Sequence, residues 1–177
     1  ALYFHAVDLM GRPYRHAGGE VKKPVMMGLI NGADYQPKYS FKVFQRVCSL
    51  FDDASERREL FYCFMNTDEQ NPLQSGVLAA PMGVSFVRKG TPLLAYWNTE
   101  DPQQKKPAGE IDLVFWADSD LTFETPVLLD LMTGQIHDLT AKAEPFICDD
   151  AHVGTKFRLP FTDYPLVLTD ASLFTDL

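Results

Sequence analysis

Three cysteines, four histidines and 24 acidic side chains are the groups of this 177-residue chain that could hold a metal, attack an electrophile or move a proton. Their spacing decides which of those uses survives. His5, His16, His137 and His152 are scattered, with no i, i+4 pair and no cysteine at ligand spacing, so they offer no zinc site. Cys48, Cys63 and Cys148 also lack metal-ligand spacing, and buried thiols are the expected state. Ser40, Ser75, Ser85 and Ser119 lack the G-x-S-x-G setting of a nucleophile elbow, and Gly18-Gly19 is too short to cradle a phosphate. Asp52-Asp53, Asp118-Ser119-Asp120 and Asp149-Asp150 read as turn carboxylates, because none sits in the twelve-residue ligand ladder that calcium loops use. What remains is Glu20 in a Gly-rich context, the cluster Asn31, Asp34 and Tyr35, and the large rings Trp97 and Trp116.

The elements that must position these residues change character near Phe51. Pro24–Ile30 is a short apolar run without period-2 alternation, as expected of a strand buried on both faces. After Pro37, Phe41, Phe44, Val47 or Cys48, and Phe51 recur with helical spacing and lay one apolar face back on that strand. Ahead of it, Leu2, Tyr3, Ala6, Val7, Leu9 and Met10 recur as a helix would up to Gly11, so residues 1–52 read as helix-strand-helix, entered in mid-series. Residues 53–177 read as short runs of Val, Phe, Tyr, Trp and Leu broken by Gly, Pro, Asn and Asp, the rhythm of an antiparallel β-sandwich of about eight strands. Strands are expected near 60–66, 83–89, 92–98, 110–117, 126–131, 135–139, 155–161 and 166–169, with a hairpin about Thr133-Gly134, where glycine supplies positive φ. The stretches 11–23, 67–76 and 99–109 read as surface loops. The whole is therefore mainly β.

Composition removes several partners. A net charge of −8 with no basic block argues against nucleic acid and anionic membrane, both of which need clustered Lys and Arg, and leaves uncharged sugars compatible. No apolar stretch approaches the length of a membrane span, and no export signal is visible, so a cytoplasmic location is favoured over secretion; a signal upstream of Ala1 stays compatible.

Several segments, taken in order, carry a resemblance. Gln36-Pro37-Lys38-Tyr39-Ser40-Phe41, leading a helix to Leu50-Phe51-Asp52, resembles the last β/α unit of the (β/α)8 glycoside hydrolases. Lys89-Gly-Thr-Pro-Leu-Leu-Ala-Tyr-Trp97 and Pro126-Val-Leu-Leu-Asp-Leu-Met-Thr-Gly-Gln135 resemble segments of the β-sandwich that follows the barrel in the β-xylosidase and α-L-iduronidase type. The resemblance implies a barrel remnant over 1–52 and a C-terminal accessory sandwich, whose partner is the catalytic barrel of the same polypeptide. It implies acid/base hydrolysis of glycosides without cofactor or metal. Retaining members use two carboxylates about 5 Å apart, and on this alignment both precede Ala1, so no residue here is catalytic. Glu20 falls on the barrel face opposite the active site and reads as a solvated loop charge.

Sugar contacts are the remaining expectation. Asn31, Asp34 and Tyr35 follow the C-terminal end of the expected last barrel strand, where barrel enzymes build their sites; the first two suit sugar hydroxyls and the third suits a pyranose face, although ordinary turn chemistry and helix packing are the favoured reading. Trp97 follows Tyr96 and Trp116 follows Phe115, so one of each pair must face away from the core. If the outward rings form a platform, the sandwich binds carbohydrate as a non-catalytic module; if they cover the barrel, it is a support, the favoured alternative. A purely structural interaction domain is a third reading. Leu2, Val7, Met26, Leu29, Phe41, Phe44 and Phe51 would leave an apolar face through which the chain self-associates.

Overall fold

Residue types that crowd a helix but pack well on a pleated surface recur in short runs after Phe51, and the structure answers with strands. The computed structural model describes residues 6–7, 14–16, 19–21, 28–65, 81–99, 109–116, 121–149 and 152–174. The chain divides into two units, Ala1–Leu50 and Phe51–Leu177.

In the first unit, β1 (Tyr14–His16) and β2 (Gly19–Val21) form a two-stranded antiparallel hairpin in which Glu20 is paired with Arg15. The sequence pattern predicts a surface loop here, because three-residue strands carry too few side chains to show a period. Val7 forms a parallel bridge with Ile30, and the Ile30 N–H donates to the Ala6 carbonyl at 3.0 Å. A backbone bonded sideways to a distant segment is not helical, so the expected opening helix is corrected at Ala6–Val7. Its other positions, and Pro24–Met27 of the expected strand, lie outside the described residues. Helix α1 spans Tyr39–Leu50, where sequence reading placed it. The expected apolar face is only partly buried: Leu50 is buried and Phe41 and Val47 half-buried, but Phe44 is 50% exposed and Cys48 is exposed, against the expectation of a buried thiol.

The second unit is a β-sandwich. Its strands are β3 (Ser55–Arg57), β4 (Tyr62–Met65), β5 (Pro81–Arg88), β6 (Thr91–Asn98), β7 (Gly109–Trp116), β8 (Pro126–Asp130), β9 (Ile136–Asp138), β10 (Ala143–Asp149), β11 (His152–Phe161) and β12 (Leu166–Asp170). They make an antiparallel four-stranded sheet in the order β10-β11-β7-β4 and an antiparallel six-stranded sheet in the order β3-β5-β6-β12-β8-β9. Two turns set local register. Lys89 and Gly90 both have positive φ (50° and 82°), which the tight two-residue turn between β5 and β6 requires. At the β8–β9 turn Gly134 has φ 79°, and the Asp130 carboxylate accepts from the Met132 and Thr133 N–H groups at 2.7 and 3.2 Å.

The core lies between the sheets. Leu94, Tyr96, Leu128, Leu166 and Leu168 of the six-stranded sheet meet Ile111, Leu113, Phe115, Phe157 and Leu159 of the four-stranded sheet, with Leu60, Leu121 and Leu139 closing the ends. Each such side chain contributes about 1.5–3 kcal/mol relative to exposure. Tyr96 is fully buried and reaches across to donate its hydroxyl to the Pro160 carbonyl at 3.0 Å; burial raises its pKa above the ordinary phenol value. Because strand side chains alternate, Leu93, Ala95, Val127, Leu129 and Val167 face away from this core, yet all are buried. The central strands β6, β12 and β8 are therefore apolar and buried on both faces. Phe51, expected on the helix face, instead packs at a tilt against Phe86 of β5, with ring centroids 4.9 Å apart and the planes at 55°.

Candidate functional site

The turn after Ile30 consumes its own polar groups. Asn31 Oδ1 accepts from the Ala33 N–H at 3.0 Å and Asp34 Oδ1 from the Gln36 N–H at 3.0 Å, while the Asn31 carbonyl accepts from Tyr35 N–H at 2.9 Å. Tyr35 has φ 58° and is 72% exposed, an open ring on a left-handed backbone position. The two side chains expected to meet sugar hydroxyls thus hold the turn, and only the ring stands free of it.

The two tryptophans are on opposite sides of the sandwich. Tyr96 and Phe115 are in the core, so Trp97 lies on the outer face of the six-stranded sheet, opposite Met82 of β5, and Trp116 on the outer face of the four-stranded sheet. Both are half-buried. They cannot line one platform.

Around Trp116 the four-stranded sheet assembles a row that sequence reading missed. Gly154 of β11 is paired with Trp116 on one side and with Phe146 of β10 on the other. On the far side of Trp116, Phe61 accepts the Trp116 N–H through its carbonyl at 2.9 Å and is 68% exposed. Tyr62, next to Phe61, packs on the core, so Phe61 faces outward with Trp116. The Trp116 and Phe146 rings meet edge to face, with centroids 6.3 Å apart at 81°. A Cβ added at Gly154 would lie 3.2 Å from Trp116 Cδ1, so the glycine lets the indole settle onto the sheet. Trp116 Nε1–H is buried and has no acceptor among the described residues. One step along the sheet the face turns polar: Lys156 Nζ is 3.1 Å from Glu144, and beyond it Arg158 Nε donates to Asp112 Oδ1 at 3.0 Å. The adjacency Phe115-Trp116 signals one outward ring, but the partners across the ladder depend on register, which a single sequence does not display.

A second feature is a cleft of about 290 Å³ lined by Gly90, Thr91, Pro92, Thr122, Glu124, Asp170 and Ser172. Burial pushes the Asp170 carboxyl up, but N–H groups of Ser172 (3.0 Å) and Thr125 (2.6 Å) outweigh it and hold the pKa below the usual 3.8. That carboxylate is fixed by backbone donors and serves the fold. Among the described residues no group of three or more His, Cys, Asp or Glu is arranged to hold a metal ion, and no helix is long and apolar enough to cross a membrane.

No family model matches the chain, and no curated protein matches it in sequence. Among solved structures, a cycloisomaltooligosaccharide glucanotransferase of Paenibacillus sp., complexed with cycloisomaltoheptaose, is similar in fold, with a TM-score of 0.50 and 10% identity over 82% of this chain. The chain spans 25% of the length of that glucanotransferase chain. At this identity the likeness concerns the fold, and the fold it concerns is the mainly β one described above.

Proposed function

We propose that the chain is the C-terminal accessory region of a glycoside hydrolase, a β-sandwich that supports a catalytic (β/α)8 barrel of the β-xylosidase and α-L-iduronidase type. The observation that carries this is the centre of the six-stranded sheet, strands β6, β12 and β8, whose second apolar face, with Leu93 and Val167 fully buried, gives it the character of an inner layer and not of a free binding module. The fold likeness to a sugar-processing enzyme of which the chain spans a quarter supports the carbohydrate-related class. The order of the Pro37-Lys38, Gly90-Thr91-Pro92 and Met132-Thr133-Gly134 segments supports the clan. In this reading the chain positions a barrel and performs no proton transfer itself, so the two carboxylates that glycoside cleavage needs belong to the barrel. Reading the coding sequence upstream of Ala1 tests it. The expected result is an open frame encoding barrel strands that end in two carboxylates; a start codon directly before Ala1 overturns the proposal.

A further inference from the structure

We infer that the outer face of the four-stranded sheet carries an oligosaccharide-binding strip along Phe61, Trp116 and Phe146; the ligand class rests on the carbohydrate-related reading above, whereas the strip rests on geometry. The three aromatic residues occupy one cross-strand row, in the order β10-β11-β7-β4, with Gly154 between Phe146 and Trp116. Neighbouring strands are about 4.8 Å apart, so the row is roughly 14 Å long, and same-face neighbours along a strand are about 7 Å apart, so it is one ring wide.

That shape chooses the occupant. A strip of roughly 100 Å² is far below the ≈ 800 Å² per partner of a stable protein interface, and Ile147 and Val153, although exposed, point to the other side of the hairpin and do not widen it. A glycan of two or three residues matches both its length and its width. Pyranose rings present an apolar C–H face to aromatic carbons and hydroxyls at their edge, and the strip offers both surfaces. Phe61 supplies an open ring, and Glu144, with its side chain 67% exposed, stands beside Lys156 one step along the sheet, within reach of a hydroxyl. Trp97 takes no part, being on the opposite side of the sandwich.

Affinity gels containing soluble xylan, barley β-glucan or dextran test this on the intact chain. Retardation is expected in at least one gel, weakened about tenfold by Phe61→Ala, restored by Phe61→Tyr and unaffected by Trp97→Phe. Since Phe61 is 68% exposed, Phe61→Ala should melt where the parent does. No retardation in any gel, or retardation indifferent to Phe61→Ala but lost in Trp97→Phe, overturns the inference while leaving the accessory reading intact. Concentration-dependent sedimentation abolished by Phe61→Ala would assign the row to a second copy of the chain and overturn it as well.

Discussion

Gly154→Ala isolates how closely strands β7 and β11 are packed, because two opposing terms fix the sign of its effect. In a strand with room to spare, replacing glycine by alanine stabilises by about 0.5–1 kcal/mol, since the unfolded chain loses freedom. Here the new methyl would lie 2.7 Å from the Phe115 carbonyl oxygen, 3.2 Å from Trp116 Cδ1 and 3.3 Å from Val114 Cγ1. Ordinary contacts begin near 3.5 Å, and the nearest obstacle is backbone held in a ladder that runs from Gly154↔Trp116 to Phe161↔Gly109. Relief therefore requires the strands to part and the indole to lift, an overpacking cost of about 1–3 kcal/mol. The net expectation is destabilisation by about 1–2 kcal/mol, a fall in Tm of about 2–8 °C for a chain of this size. Urea and thermal unfolding followed by circular dichroism measure it. Gly109→Ala is the control, since nothing lies within 4 Å of its added carbon; it should be neutral or slightly stabilising. Equal or greater stability of Gly154→Ala would refute the packing argument and, with it, the seating of Trp116 on the glycine.

Tyr96→Phe should cost about 1 kcal/mol, by urea denaturation, because the hydroxyl bond to the Pro160 carbonyl ties the two sheets together and its loss leaves that oxygen short of a donor. Asp170→Asn should lower stability at pH 7, and the difference from the parent should shrink as pH falls. A carboxyl held below 3.8 in the fold stabilises fully above that value and loses its contribution as pH drops through the depressed folded pKa. Unfolding measured from pH 7 downward checks the direction, and a gap that stays constant to pH 2 contradicts it.

Period and turn chemistry made much of the sandwich legible. The eight strands expected after Phe51 are present because their short apolar runs are separated by Gly, Pro, Asn and Asp at turn spacing, and the β8–β9 hairpin is announced by a glycine that must adopt positive φ. β10 was missed because Glu144, Pro145 and Asp149 break its apolar run, and β1, β2 and β3 because three residues show no period. At Ala6–Val7 the expected opening helix gives way for a physical reason: apolar spacing there fits a helix, but the bridge between Val7 and Ile30 is a tertiary fact that overrides local pattern. The candidate site divides the same way. Adjacency required one ring of Tyr96 and Trp97, and one of Phe115 and Trp116, to face outward; that the tryptophans are the outward ones, that they lie on opposite faces, and that Trp116 joins Phe61 and Phe146 follow from the core and the sheet order. Asn31 and Asp34 read alike as turn formers and sugar ligands, and their bonds to Ala33 and Gln36 show them holding the turn.

The claim that this chain supports chemistry without performing it is tested most directly by assaying the purified chain against a panel of nitrophenyl α- and β-glycosides, with Glu20→Gln in parallel. Glu20 sits in β2, in register with Arg15, and is the carboxylate whose Gly-rich sequence context resembles a catalytic site. The account predicts no turnover above buffer for either protein, since glycoside cleavage needs two carboxylates on either side of the bond. Turnover that persists through repurification and disappears in Glu20→Gln would contradict it.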